Sequence, residues 1–267
     1  AVNVGSNDVS VFKVAGDELR LVERAAPGGT APISVATRGD RVYVLEAGGA
    51  GDVVAMRLRG DGRLTPMGGP RPLSRAGSAP AEVAVTPDGD SLVVTEKATG
   101  CIDLFPLDRD GDIGPGACHP SSGLTPFGFD FADETLVVAE AAGGAPLGSS
   151  ASSYRLDRGA PRVVSAAVPT TQTAACWLVA TPDGRYITVP SHYTASNSIN
   201  FYDAATLLAR LDEGRDAADV AAVYEHRHAN VHDVYYQSVG VLSAATAGGT
   251  ETTVYRMMFS GSTTLAM

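Results

Sequence analysis

Short apolar segments joined in pairs by polar turns recur along the chain. Residues 80–85 are mainly apolar, a Thr-Pro-Asp-Gly turn follows, and residues 91–96 form a second apolar segment that ends on a carboxylate. The same unit begins again at Pro32, Pro126 and Ala175. Nearly continuous apolar residues over so short a length are typical of strands with both faces buried. Each unit therefore predicts a hairpin of two inner strands.

A second, more polar pair of strands is predicted between these hairpins, and its alternating pattern is typical of strands nearer solvent. Its central aromatic or Met residues, spaced 44, 49, 49 and 47 residues apart, are Phe12, Met56, Phe105, Tyr154 and Phe201. Four strands in a period of about 48 residues form one blade of a β-propeller. Asp-Gly pairs supply the positive φ that tight hairpins need. A two-sheet sandwich, the alternative all-β fold, gives no reason for such a repeat.

We therefore predict an all-β fold, a β-propeller of four-stranded antiparallel blades, with five to six blades recognisable in one domain spanning residues 1–267. The opening at Val2 matches the end of an inner strand pair, so the first blade lacks its two inner strands. The period fades after Asp203, which predicts an irregular insertion over residues 204–232 and degenerate C-terminal repeats.

Composition narrows the partners. Thirty acidic residues against 20 basic ones give a net charge of −10, which disfavours nucleic acid as a partner. No apolar stretch reaches the length of a membrane span. We expect a soluble monomer that binds a small molecule, cytoplasmic or secreted after removal of a signal. Cys101, Cys118 and Cys176 are an odd number without CxxC spacing, so we expect small buried side chains and neither a disulfide framework nor a zinc site.

Four motifs resemble the lactonase family of β-propellers, the seven-bladed group that includes 6-phosphogluconolactonase and the fungal carboxymuconate lactonising enzymes. They are Val4-Gly-Ser-Asn-Asp-Val-Ser-Val-Phe, the block from Pro80 to Thr99, Thr125-Pro-Phe-Gly-Phe and Ala174-Ala-Cys-Trp. The resemblance spans roughly residues 2 to 190 and implies a propeller that hydrolyses a lactone. The histidine that family enzymes often carry before the Pro-Asp-Gly turn is replaced here by Ala81 and Cys176.

Three carboxylates fall at the same place in successive repeats, at the end of the second inner strand: Glu46, Glu96 and Glu140. Residues at matching positions of adjacent blades point towards one axis, so these side chains could form a ring that holds a divalent cation such as Ca²⁺ or acts as a general base. The alternative is that each Glu bonds only to loop amides of its own blade. Ser191 is the fourth equivalent residue.

Other candidate residues surround this ring. His192 lies next to the Ser191 position and is a catalytic candidate, while Lys97, Ser191 and Arg185 are candidates for binding substrate or a developing oxyanion. Each also has a simpler interpretation as a loop or surface residue. The His226-x-His228-x-x-x-His232 cluster has zinc-ligand spacing without the Glu of metalloproteases. The acidic run over residues 108–112 lacks the EF-hand spacing and predicts a hairpin turn.

Two functions follow from these features. The first is a lactonase-like hydrolase that opens a small sugar or carboxylated lactone by attack of an activated water, with no certain cofactor. The second is a non-catalytic propeller that serves as a binding or interaction scaffold. Convergence of the three carboxylates on one pocket would favour the hydrolase.

Overall fold

A computed structural model describes residues 1–16, 18–157, 159–180, 186–190 and 199–203, with Ile187 the one side chain described in the last two segments. Within these residues the strands form five antiparallel sheets, three of four strands and two of three. The predicted all-β propeller of antiparallel blades is confirmed. The segments predicted as the irregular insertion, residues 204–232, and as degenerate C-terminal repeats lie outside the described residues.

Each sheet is one blade, and its strands follow one another in chain order. Blade 1 contains β1 (Val2–Asn3), β2 (Asp8–Ala15) and β3 (Glu18–Ala25). Blade 2 contains β4 (Pro32–Arg38), β5 (Arg41–Glu46), β6 (Asp52–Leu58) and β7 (Leu64–Pro72). Blade 3 contains β8 (Pro80–Val85), β9 (Ser91–Glu96), β10 (Cys101–Pro106) and β11 (Ala117–Pro120).

The remaining strands form blades 4 and 5. Blade 4 contains β12 (Pro126–Ala132), β13 (Thr135–Glu140), β14 (Ser150–Asp157) and β15 (Ala160–Pro169), with a short 3₁₀ helix at Ala142–Gly144 before β14. Blade 5 contains β16 (Val179–Ala180), β17 (Tyr186–Pro190) and β18 (Ile199–Asp203). The tight turns agree with the Asp-Gly signal, since Gly89 and Gly111 have φ of 80° and 82°.

The chain divides into two compact units. The first contains blades 1 to 3 within Ala1–Ser121, and the second contains blades 4 and 5 from Ser122 onward. The single domain over residues 1–267 stays a prediction.

In the first unit, β5 shows why an inner strand is apolar at successive positions. Val42 and Val44 pack in one cluster with Val9 of blade 1, whereas Tyr43 and Leu45 pack in another with residues of blade 3. Because side chains alternate across a strand, both faces of β5 are buried, one in each cluster. In the second unit, Val137 and Ala139 of β13 belong to a third cluster that also contains Ile187.

The third strand of each complete blade is more buried than its polar pattern indicates. Residues 101–105 of β10 and residues 150–154 of β14 are all buried. The expectation that the whole second pair lies near solvent is therefore wrong, because the third strand is paired on both edges and covered on both faces. Only the fourth strands, such as β11 and β15, are largely exposed.

Candidate functional site

The three repeated carboxylates end the second strand of their blades and are fully buried: Glu46, Glu96 and Glu140 are each 0% exposed. Each lies directly opposite the first residue of the third strand, which is Asp52, Cys101 or Ser150. We call each Glu with its neighbours on the third strand a blade junction. The sequence predicted the shared position correctly, and the register now names the facing residues.

Each of these glutamates accepts a hydrogen bond from a backbone amide in the connection that precedes its blade. Gly29 N–H donates to Glu46 Oε1 at 3.1 Å, Ser74 N–H to Glu96 Oε1 at 2.9 Å, and Gly123 N–H to Glu140 Oε1 at 2.7 Å. These bonds are the local interaction that the sequence left open as an alternative. Convergence of the three carboxylates on one pocket, and a cation held between them, stay predictions.

The junction of blade 4 is built from hydroxyl groups. Ser150 Oγ donates to Glu140 Oε2 at 2.5 Å, and Ser152 Oγ donates to Glu140 Oε1 at 2.6 Å. With the Gly123 amide, three donors surround one carboxylate. A buried charge that is bonded in this way is compensated locally, so this junction is fit for a structural role.

The junction of blade 2 places a second acid, Asp52, against the first. Burial, together with hydrogen bonding to and repulsion from the neighbouring Asp52 carboxyl, raises the pKa of Glu46 to about 7. Burial also raises the pKa of Asp52. Two carboxyl groups in contact share a proton more readily than they both ionise. Glu46 and Asp52 therefore act as one titrating pair.

The junction of blade 3 has both hydroxyl donors and a second acid. The hydroxyls of Ser74 and Thr99 donate to Glu96 Oε2. Burial raises the pKa of Asp103 to about 8, helped by its hydrogen bond to Glu96 and by the Glu96 charge. Burial opposes ionisation of Glu96, but bonds from Asp103, Ser74 and Thr99 outweigh it and lower its pKa. The proton of this pair therefore resides on Asp103.

Asp103 occupies the same register position in blade 3 that Ser152 occupies in blade 4. Asp103 is paired with Val94, two residues before Glu96, and Ser152 is paired with Val138, two residues before Glu140. A carboxyl thus replaces a hydroxyl at a fixed place in the blade. The sequence search missed Asp103 because it compared the ends of the second strands and did not compare the third strands position by position.

A cavity of about 430 Å³ opens at the blade 3 junction, and Asp103 and Arg71 both line it. Asp103 is 1% exposed, and its polar neighbours include the Glu96 carboxyl and the Ser74 amide. Arg71 is exposed and donates Nε–H to the backbone oxygen of Ile113 at 2.5 Å. Ser74, Phe105 and Cys118 contribute further walls. A buried carboxyl and a guanidinium therefore line one concave site.

The other predicted site residues are only partly placed. Lys97 is half-buried, and its Nζ donates to the backbone oxygen of Pro80 at 2.7 Å. Arg185, Ser191 and His192 lie outside the described residues, as do His226, His228 and His232. The acidic run is a hairpin turn, as predicted, in which Asp108 Oδ1 accepts hydrogen bonds from the Asp110 and Asp112 amides, each at 2.9 Å.

The cysteine expectation is wrong. Cys101 and Cys118 form a disulfide with a Cα–Cα distance of 5.4 Å, while Cys176 is outside this disulfide and half-buried. The bond joins β10 to β11, where Cys118 lies directly opposite Asp103. The predicted hairpin could have indicated this disulfide, because Cys101 and Cys118 lie at similar distances on either side of the turn at residues 108–112. Spacing rules for disulfide frameworks and zinc motifs do not test for such pairs across a hairpin.

Comparison with known proteins supports the propeller resemblance in the N-terminal part. A family profile described as "Lactonase, 7-bladed beta-propeller" matches residues 3–126. The resemblance to lactonase propellers is confirmed over these residues. No curated protein matches the chain.

Solved structures show the fold and extend it beyond this segment. A candidate 6-phosphogluconolactonase from Bacteroides fragilis is 16% identical, with a TM-score of 0.58, over 76% of this chain and 63% of that one. The periplasmic gluconolactonase of Pseudomonas aeruginosa is 16% identical, with a TM-score of 0.56, over 73% and 60%. The hydrazine synthase of Kuenenia stuttgartiensis is 14% identical, with a TM-score of 0.57, over 84% and 66%. The chain thus spans about three fifths of the two lactonase-named structures, and the range of their names shows that this fold alone does not fix an activity.

No helix in the described part of the chain is long and apolar enough to cross a membrane.

Proposed function

We propose that this chain is part of a lactonase-like hydrolase that opens a small sugar or carboxylated lactone, and that the reaction takes place in the blade 3 cavity. The observation that carries this proposal is the buried carboxyl of Asp103 at a cavity that Arg71 also lines. The lactonase profile over residues 3–126 supports the reaction class.

Opening of a lactone by water needs two groups, and this cavity offers both. A base must take a proton from the attacking water, and positive charge must stabilise the carbonyl oxygen as it becomes an oxyanion. Above about pH 8, where Asp103 has lost its own proton, its carboxylate accepts the proton of the water, and Arg71 faces the oxyanion or a carboxylate of the substrate. The proton then passes from Asp103 to the ring oxygen as the acyl–oxygen bond breaks. Water is thereby added across that bond, and a hydroxy acid is released.

Glu96 is a positioning residue in this scheme. Its carboxylate is held by the Ser74 amide and by the hydroxyls of Ser74 and Thr99, and it adjoins Asp103. It therefore fixes the orientation of the Asp103 carboxyl. Of the carboxylates predicted as a ring, this scheme uses Glu96 alone and leaves Glu46 and Glu140 as structural residues of their own blades.

The test is a hydrolysis screen over five- and six-membered sugar lactones and carboxylated lactones, with and without a chelator. We expect turnover by the parent and a loss of about 100-fold or more in kcat for Asp103→Asn, the range for removal of a general base. Asp110→Asn, on the exposed turn, is the matched control and should behave as the parent. Full activity of Asp103→Asn would refute this site.

The variant Glu140→Gln separates this proposal from the carboxylate ring. If the ring were the active site, Glu140→Gln would reduce kcat as strongly as Glu96→Gln does. We expect it to reduce stability and leave kcat close to that of the parent. A calorimetric titration of the parent with Ca²⁺ tests whether the chain binds the cation that the ring was predicted to hold.

A non-catalytic scaffold is the second candidate, and a specific observation favours it. The three repeated glutamates are fully buried and bonded to their own blades, as expected of residues selected for stability. Absence of turnover for every lactone in the screen, in the presence of Ca²⁺ as well as without it, would support this candidate.

A further inference from the structure

We propose that reduction of the Cys101–Cys118 disulfide converts the blade 3 junction into a site for a thiophilic divalent cation, with Cys101, Cys118 and Asp103 as its three protein ligands. Zn²⁺ is the biological ion of this class and Co²⁺ is its spectroscopic probe. The inference goes beyond lactone hydrolysis and does not depend on it.

The strand register brings the three ligands together. Cys101 and Asp103 are two residues apart on β10, so their side chains lie on the same face, and Cys118 on β11 is the direct cross-strand partner of Asp103. One ligand atom from each residue lies within 4.8 Å of the other two. Tetrahedral zinc with bonds of about 2.0 Å to oxygen and about 2.3 Å to sulfur needs ligand atoms somewhat closer than this limit. In the oxidised protein the two sulfurs are bonded to each other, so they must move apart after reduction, while the backbone keeps all three side chains within reach of one ion.

Asp103 provides an independent sign that a ligand belongs here. Its side chain is 99% buried, it lines the cavity, and it lies beside a second carboxyl group, that of Glu96. A buried carboxylate normally has donors or a cation to compensate its charge. Glu140 in blade 4 has two serine hydroxyls and an amide as donors, whereas Asp103 adjoins a second carboxyl, that of Glu96. A bound cation would compensate the charge of these two carboxylates once the proton of Asp103 has left.

The cavity supplies the fourth coordination position. Cys118 is exposed and lines the same cavity as Asp103, so a reductant can reach the disulfide and water can reach the cation. Three protein ligands with one open position form the arrangement of catalytic zinc sites, and structural sites instead close all four. In the oxidised protein both sulfurs are bonded to each other and cannot act as thiolates.

The chemistry balances with an external reductant. A phosphine attacks the disulfide and, with one water, yields two thiols and a phosphine oxide; a cellular dithiol would instead become a disulfide. Binding of the divalent cation then releases the two thiol protons and the proton of the Asp103 carboxyl, because the thiolate and the carboxylate are the forms that bind metal. Affinity for the cation is thus confined to the reduced protein.

The experiment compares oxidised protein with protein reduced by a phosphine that is then removed under anaerobic conditions. We expect one Co²⁺ per reduced chain, with thiolate-to-cobalt charge-transfer absorption and the d–d bands of tetrahedral Co²⁺, both abolished by added Zn²⁺. The oxidised protein should show neither. In a thiol-reagent assay, Zn²⁺ should protect two of the three thiols of the reduced chain.

Variants assign the ligands. Cys118→Ser and Asp103→Asn should each weaken Co²⁺ binding by more than the roughly 10- to 100-fold that loss of an outer-shell partner costs. Cys176→Ser, which removes the cysteine outside the disulfide, should bind as the parent does. Asp103→Asn keeps both cysteines, so it tests the site even if Cys118→Ser folds poorly.

Three results would each overturn the inference: a reduced parent that gives no charge-transfer band, an oxidised protein that binds Co²⁺ equally well, or Asp103→Asn with unchanged affinity. A histidine site elsewhere in the chain would give no thiolate band. Because the readout is metal absorption, it is separate from the lactone screen. Loss of turnover would not affect this result, and absence of metal binding would leave the hydrolase proposal standing.

Discussion

The junctions of blades 3 and 4 share the same backbone arrangement and differ in the side chains that surround the buried Glu. In both, the last residue of the second strand is a fully buried Glu that bonds to the connection preceding its blade. In blade 4 the third strand offers two serine hydroxyls to this Glu, while in blade 3 Cys101 and Asp103 occupy the equivalent positions. The repeated position thus carries the same Glu in both blades, and the third residue of the third strand is where blade 3 has a second acid, Asp103.

Blade 1 follows the same plan with an amide, that of Asn3, in place of the Glu. Asn3 pairs with Asp8 at the matching register, and its Nδ2 donates to Asp8 Oδ1 and to Ser10 Oγ, the latter at 2.7 Å. Four blades therefore carry a polar residue at the end of one strand, and in each blade this residue contacts the first or third residue of the next strand. The repeat thus keeps a polar contact between these two strands and varies the side chains that make it.

The largest effect should come from removal of the glutamate where it is best bonded. Glu140→Leu leaves the Gly123 amide and two serine hydroxyls without their acceptor in a buried site, and each unsatisfied group costs about 1–3 kcal/mol. We expect the free energy of unfolding to fall by about 3 kcal/mol or more in urea titrations. Glu134→Leu, at an exposed position of the same blade, should change it little. Equal stability of the two variants would mean that the junction is not structural.

A smaller but clear loss should follow from a side chain at Gly123. A Cβ there would meet the Glu140 carboxylate and lie 2.7 Å from Ser150 Oγ. Overpacking of this kind costs about 1–3 kcal/mol. Gly123→Ala should therefore lower the thermal midpoint, whereas Gly69→Ala, where no atom lies within 4 Å, should not. An unchanged midpoint for Gly123→Ala would show that the junction can relax.

The sequence predicted the blades and the repeated Glu positions because inner-strand pattern and turn residues recur with the period. It did not predict which residues close each junction. Asp52 and Asp103 differ in their place along the third strand, so no single position repeats the acid. The cavity and the disulfide depend on the third and fourth strands of blade 3, whose sequence departs from the repeat. The residues proposed to act in function are therefore those that depart from the repeat, and the repeat itself does not reveal them.

The blade 2 junction can be compared with the other junctions through the pH dependence of the free energy of unfolding. The pKa of Glu46 is raised from 4.5 to about 7, so between these values the folded chain holds a proton that the unfolded chain has lost. The stabilisation from this proton is complete below about pH 4.5 and is lost as the pH rises through about 7. The free energy of unfolding should therefore fall over this window.

Asp52→Ser should remove much of that slope. The serine would lie where Ser150 lies in blade 4 and could donate to an ionised Glu46, which lowers the Glu46 pKa. We expect the variant to exceed the parent in stability at pH 8 by about 1–2 kcal/mol, the scale of one hydrogen bond to a charged group. Urea midpoints at pH 5 and pH 8 measure this, with Asp61→Ser on an exposed turn as the control. Parallel pH profiles for Asp52→Ser and the parent would assign the slope to another group.

The smallest effect should come from Ser74, where blade 3 carries a serine and blades 2 and 4 carry Gly29 and Gly123. Both the amide and the hydroxyl of Ser74 donate to Glu96, and Ser74→Ala removes only the hydroxyl bond. Because Ser74 is exposed and the amide bond and Thr99 remain, we expect a loss of no more than about 1 kcal/mol, against no change for the exposed Ser6→Ala. Fewer donors also raise the pKa of Glu96, so the Glu96 and Asp103 carboxyls should share their proton more evenly. NMR titration of the two carboxyl carbons in Ser74→Ala would detect this, and unchanged titration curves would show that Thr99 and the amide alone keep Glu96 ionised.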